Sequence, residues 1–206
     1  MNFIIVKEAI ITLLKANAGT DFEVVESQRQ SQGVSTLPRV QVFYKSGDFP
    51  KSGGSATGKM SHDAVFQVNL LVSEPAKGDL TALENATTDA ERQTAIATIR
   101  NASLICDENI DLLFAKVYQI LMHHEYRDLG LEIGTTSNKW VDNYDKGDPI
   151  PHGDHIVLSG ACSLTLRITE GLQGISVVNL EDISTDLTLK DDDNAKQGIT
   201  NDDLTP

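Results

Sequence analysis

Residues 64–73 read AVFQVNLLVS. In an extended chain Phe66, Val68, Leu70 and Val72 fall on one side, while Gln67, Asn69 and Ser73 fall on the other, which is the period-two pattern of a half-buried strand. Two further stretches have the same texture. Residues 39–45, RVQVFYK, point Val40, Val42 and Tyr44 one way and Gln41, Phe43 and Lys45 the other. Residues 156–169, IVLSGACSLTLRIT, turn Cys162, Leu164, Leu166 and Ile168 inward and Ser163, Thr165 and Arg167 outward, with Gly160 as the expected position of a bulge. The first two strands are placed to form a long hairpin. Between them, residues 46–61 are rich in Gly, Ser and Lys and are expected to form its flexible tip.

The helical signals lie outside these strands. Residues 3–16, FIIVKEAIITLLKA, repeat Phe3, Val6, Ile10 and Leu14 near the helical period, and residues 17–19 supply a stop. A short strand is expected at 22–26. Thr88 and Glu91 fit a capping box, and Asp107 reads as a second N-cap. After it, Ile110, Leu113, Phe114, Val117 and Leu121 form an apolar stripe that ends before Gly130. Residues 134–155, polar and interrupted by Gly and Pro, are expected to form a long loop pinned to the body by Trp140 and Tyr144. This order predicts an α+β fold: a mixed, mainly antiparallel sheet with helices packed on one face.

Composition sets limits on partners and compartment. The chain has 206 residues, 40% of them apolar but only 5% aromatic, so a single aliphatic core is expected. Its formal charge of −13 repels nucleic acid at long range and favours a basic partner. Residues 181–206 carry eight acids and two lysines, a balance of −6, with no aromatic residue. Such a segment buries too little apolar surface to offset its ordering entropy. One domain is therefore expected at 1–175, followed by an acidic arm at 176–206 that is flexible or orders on assembly. Cys106 and Cys162 stand far apart and outside any CxxC pair, so two buried thiols in a reducing cytoplasm are expected, with a single disulfide as the alternative. Lys7, Glu8 and Lys15 interrupt the opening segment, which is not read as a signal peptide.

Three motifs invite chemistry. GGSATGK, from Gly53 to Lys59, matches the glycine-lysine core of a phosphate-binding loop, but Met60 stands where a magnesium-holding Ser or Thr belongs and the next element alternates like a strand. HGDH, from His152 to His155, offers His152, Asp154 and His155 as metal ligands, but no zinc spacing is present and a polar loop is the preferred account. His123 and His124 are adjacent on the expected helix and should diverge by about 100°. No GxSxG elbow and no Cys–His signature is visible. Lys45, Lys51 and Lys59 gather around the glycine-rich tip, as a solvated loop or as a contact for a polyanion or acidic partner.

The order of these segments resembles the tail terminator, or tail completion, proteins of long-tailed bacteriophages. The resemblance spans about residues 1–172 and is carried by FIIVKEAIITLLKA, PRVQVFYK and its flexible loop, HDAVFQVNLLVS, IDLLFAKVYQILMHH and SGACSLTLRITEGL. It implies a virion protein, assembled in the host cytoplasm, that forms a homo-oligomeric ring, usually a hexamer, on the last ring of the tail tube. Such a ring stops tube growth and meets the head–tail connector, and DNA passes through its lumen without specific binding. The resemblance implies no catalytic residue, metal or cofactor. It makes Lys45, Lys51 and Lys59 candidate partner or lumen contacts. It also makes 176–189, with Val177, Leu180, Ile183 and Leu187, a candidate inter-subunit arm. The helical stretch 80–103 and the acidic tail depart from the family's usual length. The competing readings are a head–tail connector or adaptor of the same region, a small nucleotide- or metal-dependent enzyme using Gly53–Lys59 or His152–His155, and a soluble binding module with an acidic tail that docks on a basic partner.

Deletion of residues 181–206 is expected to leave the thermal unfolding midpoint unchanged. A large fall in that midpoint would show the tail to be part of the folded body.

Overall fold

The alternating stretch at 64–73 becomes the middle of β3 (Lys59–Pro75), and its counterpart at 156–169 lies within β6 (His155–Gly171). The computed structural model describes residues 2–25, 37–49 and 59–171. β3 and β6 run antiparallel in unbroken register, from Lys59 opposite Gly171 to Pro75 opposite His155. Their inward rows, Phe66, Val68, Leu70 and Val72 against Leu158, Cys162, Leu164, Leu166 and Ile168, are at most 3% exposed. β2 (Arg39–Asp48) adds antiparallel to β3, and β1 (Glu23–Val25) lies parallel to its start. β4 (Thr136–Lys146) flanks the other side of β6, and β5 (Ile150–His152) closes a tight hairpin with the start of β6. The sheet is mixed, mainly antiparallel and ordered β1-β2-β3-β6-β4, with β5 also on β6.

Two helices cover one face of it. α1 (Asn2–Ala18) turns Val6, Ile10, Ile11, Leu13 and Leu14 inward and stops at Gly19, where φ of +58 suits glycine. α3 (Asp89–Met122) turns Cys106, Ile110, Leu113, Val117 and Leu121 into the same core. Its start is the expected capping box: Thr88 Oγ1 accepts from Glu91 N at 3.3 Å, and Glu91 Oε2 accepts from Thr88 N at 3.0 Å. Hydrogen bonds donated to the carboxylate by Thr87 N and Oγ1 and by Thr88 N hold the Glu91 carboxyl below its ordinary value. Asp107 caps nothing; it lies mid-way along α3, which continues unbroken for 34 residues, about 50 Å at roughly 1.5 Å per residue. No glycine or proline interrupts 89–122, so nothing makes the helix restart there. Asp107 instead accepts from Lys146 Nζ at 2.7 Å. α2 (Lys77–Asn85) packs along the start of α3, so the stretch at 80–103 is a helical hairpin.

The N-terminus of α1 is held by the end of β6. Buried Glu170 accepts from Asn2 N at 2.6 Å and from Phe3 N at 3.4 Å, and Asn2 Nδ2 donates to the Thr169 carbonyl at 2.6 Å. An acid satisfying free amides at a helix start is favoured by both hydrogen bonding and the helix dipole. Phe3 then stacks on Tyr44 with ring centres 4.4 Å apart.

Residues 134–155 form strands rather than a long loop. Irregularities between Ser137 and Lys139 and between Val141 and Tyr144 insert extra residues into β4, which destroys the period-two signal in the sequence. Tyr144 does pin this strand: it stacks on Phe114 at 4.0 Å, its hydroxyl donates to Asp111 at 3.2 Å, and Lys146 bridges Asp107 and Asp111. Trp140 lies on the opposite side, more than a third exposed, with its indole N–H donated to Asp142 at 2.6 Å. Thr165 points away from the helices as expected yet is buried, because its hydroxyl donates to Asp142 at 2.6 Å. Gly160 is no bulge either, since its pairings with Leu70 and Lys146 are regular. A Cβ there would come within 3.1 Å of Ile110 Cδ1 and Tyr144 Cε2 and 3.3 Å of the Asp145 carbonyl, so glycine admits α3 and β4 close to the sheet.

Gly160→Ala is expected to cost roughly 1–3 kcal/mol by overpacking, read as a lower midpoint in chemical denaturation. Wild-type stability would mean that Ile110 and Tyr144 yield without strain.

Candidate interaction surfaces

The sheet face away from the helices mixes polar side chains with Val65, Leu71 and Val157. Gln41, Gln67, Asn69, Ser159 and Ala161, with Arg39 and Asp145 at the margins, line an open depression of about 450 Å³. Gln67 Nε2 donates to Asn69 Oδ1 at 2.8 Å, and Arg39 pairs with Glu23 at 3.3 Å. Farther along the same face Arg167 pairs with Asp63 at 3.0 Å, and Ser61 and Thr169 share a 3.1 Å hydrogen bond. Amides and hydroxyls arranged across an open sheet can hydrogen-bond a polar surface laid against them.

The helical layer exposes several large apolar side chains among charged ones. Leu104, Ile105, Leu112 and Tyr118 of α3 are exposed, Leu112 to 68%. Ile105 and Leu112, seven residues apart, share one side of the helix about 120–140° away from the centre of the buried stripe. Beside Leu112, α3 and the neighbouring ends of β1, β2 and β3 enclose a cleft of about 360 Å³, lined by Phe22, Pro38, Val72, Leu112 and Leu113. Its rim carries Asp21, paired with Lys116, and Glu74, which accepts from Asn109 Nδ2 at 2.8 Å. Neither Leu112 nor Ile105 stands out in the sequence; the only signal is that both are large aliphatics off the stripe set by Ile110, Leu113 and Val117.

The residues singled out by sequence do not converge. Lys45 belongs to β2 rather than to the hairpin tip: it is the extra residue of a bulge between Tyr44 and Ser46 and is exposed. Lys59 opens β3 opposite Gly171, six residues from the Val65 level that Lys45 neighbours, or about 20 Å at roughly 3.3 Å per residue. Residues 46–48 and 59–61 are strand rather than tip. Lys51, residues 53–58 of GGSATGK, the arm residues Val177, Leu180, Ile183 and Leu187, and the acidic stretch 181–206 lie outside the described residues. The element after GGSATGK is a strand, so no helix N-terminus follows the motif.

HGDH is a two-residue hairpin. His152 pairs with His155 across it, Gly153 has the positive φ of +58 that such a turn assigns to glycine, and the Asp154 carbonyl accepts from Ala76 N at 2.8 Å. Among the described residues no three His, Cys, Asp or Glu side chains are grouped to hold a metal ion. His123 and His124 do not diverge as expected. α3 ends at Met122, His123 leaves the helical path with ψ of 135°, and the two rings stand 4.6 Å apart beside Tyr126.

Both cysteines are free and buried. Cys106 Sγ donates to the Ile156 carbonyl at 3.4 Å, and burial, with the Glu74 charge, pushes its thiol up to about 11. Burial alone pushes Cys162 up to about 11. Tyr144 is raised by burial and by Asp111, and Lys139, which donates to the Tyr126 carbonyl at 2.6 Å, is lowered by burial. Each of these shifts follows from packing between elements. No described helix is long and apolar enough to cross a membrane. No protein-family model matches the chain, and no curated protein matches it.

Folded protein is expected to leave both thiols unlabelled by a disulfide reagent at neutral pH and to label both after denaturation. Rapid labelling without denaturant would contradict the burial. The same shifts make the folded chain hold protons that the unfolded chain has released, so stability should fall as pH rises from the ordinary thiol value of about 8.5 towards 11.

Proposed function

We propose that the chain is a structural assembly protein that forms a ring at the head-proximal end of a phage tail tube, stops tube polymerisation and joins the tail to the head connector. The observation that carries this reading is the set of large apolar side chains exposed on α3. The core is already closed on the sheet side, yet Leu104, Ile105, Leu112 and Tyr118 stand in water, and Leu112 borders a preformed cleft. A lone chain gains nothing from that arrangement, whereas a neighbouring protein that covers it gains buried apolar area. The segment order that resembles tail terminators directs the reading towards a tail rather than towards assembly in general.

Three further features support it. The open sheet face offers a hydrogen-bonding surface for a second partner. The net charge of −13 disfavours sticking to DNA that slides past, because like charge prevents counterion-releasing contacts. The sheet edges bear on how copies meet. Among the described residues β1 is three residues long, and β2 and β4 both carry bulges, devices that discourage strand addition at those positions. Contacts between copies therefore run through side chains there, while the arm with Val177, Leu180, Ile183 and Leu187 remains a second means of linkage within this proposal.

Tails assembled with and without the protein, imaged by negative stain, test the reading. Tubes of unregulated length that fail to join heads are expected in its absence. Tails of normal length in its absence would refute it.

A further inference from the structure

The first two turns of α1 leave apolar surface in water. Ile4 and Ile5 are each 49% exposed, and Phe3, Ile4 and Lys7 line a cleft of about 220 Å³ with Phe43 and Tyr44 of β2. The cleft has a fixed floor, because Phe3 stacks on Tyr44 and its amide is held by Glu170. Among the described residues β1 pairs with β2 only from Arg39 to Gln41, so the sheet leaves Phe43 and Tyr44 open at its edge. Two cations belong to this place. Lys7 lines the cleft, and Lys45 follows Tyr44 in β2 and is exposed. Among the described residues neither ammonium has an ion pair or a hydrogen bond, whereas Arg39, Lys116, Lys146 and Arg167 all sit against carboxylates.

β6 ends beside this cleft. Gly171 follows Glu170, whose carboxylate lies 2.6 Å from Asn2 N and 3.4 Å from Phe3 N. Residues 172–206 come next in the chain. About five extended residues, at roughly 3.3 Å each, reach past the first two turns of α1, which rise about 11 Å. The sequence at and beyond that reach supplies what the cleft lacks. Ile175, Val177, Val178 and Leu180 are aliphatic, and Glu181, Asp182 and Asp186 follow with no cation before Lys190. The exposed apolar side chains of α3 are a poorer match, because Asp107, Glu108 and Asp111 stand among them and Lys116 is already paired.

We infer that residues 175–186 fold back on their own chain, the aliphatic run covering Ile4 and the Phe3–Phe43 cleft and the acids meeting Lys7 and Lys45. Covered apolar area drives the contact, and opposite charge selects this surface over others. Covalent attachment makes it an intramolecular event, so no second molecule has to be brought in. It adds few side chains to a core that is already closed, and it is therefore read by local probes rather than by the global unfolding midpoint. The contact within the chain stands without the ring reading. Within that reading it is a latch, which withholds the arm from neighbouring copies until one of them displaces it.

A nitroxide attached to the full chain through Ser184→Cys tests it. Cys106 and Cys162 are buried, so the label goes to position 184. Amide resonances of Phe3, Ile4 and Lys7 should broaden more than those of Thr136 and Ser137, which lie comparably near the end of β6 through the pairing of Thr136 with Ile168. Glu181→Lys combined with Asp182→Lys leaves the folded body untouched and should abolish the excess. Spin-labelled chains at natural isotope abundance, mixed with isotope-enriched chains that carry no label, should leave the enriched resonances of Phe3, Ile4 and Lys7 sharp. Equal broadening at the two places, an excess that survives the charge reversal, or broadening in the mixture would overturn the contact. The tail-length experiment decides the ring reading separately.

Discussion

The pairing of β3 with β6 is the constraint on which the rest of the molecule depends. It runs in register from Lys59–Gly171 to Pro75–His155, and a slip of one residue would turn every inward side chain of one strand out of the core. Because it holds, Phe66, Val68 and Leu70 meet Leu164, Cys162 and Gly160 in one continuous layer. Ile110, Leu113 and Val117 of α3 and Ile10 and Leu14 of α1 close over that layer. The same pairing delivers Glu170 to the start of α1, so the sheet also fixes where the first helix begins.

A one-sided core leaves surfaces of two kinds. The bare side of the sheet carries amides, hydroxyls and ion pairs that water satisfies, interspersed with half-buried Val65, Leu71 and Val157. The outer side of α3 is different, because the large apolar side chains of Leu104, Ile105, Leu112 and Tyr118 are exposed on it among charged and polar ones. The shifted groups, Cys106, Cys162, Tyr144 and Lys139, sit where elements pack together rather than around an enclosed cavity. Their perturbation is a consequence of burial, and the physical weight of the molecule falls on its surfaces.

The edge strand β4 shows how a strand escapes notice in a sequence. Its residues alternate only between bulges, so Trp140 and Asp142 face one way and Val141 and Tyr144 the other without a lasting period. α3 shows the converse error. Asp107 has the chemistry of an N-cap, yet no preceding helix stop exists, and the aspartate serves Lys146 from another element. HGDH has the composition of a ligand set, but its glycine conformation makes it a hairpin.

The sequence by itself determined the strands at 39–45, 64–73 and 156–169, both core helices, the capping box and the α+β class, because each rests on local period or local hydrogen bonding. Only the tertiary structure decided that Gly160 is a close approach, that Lys45 and Lys59 lie apart, and that Leu112 borders a cleft made with the ends of β1, β2 and β3. These are relations between residues distant in sequence, set by register and by which helix covers which strand. No local pattern encodes them.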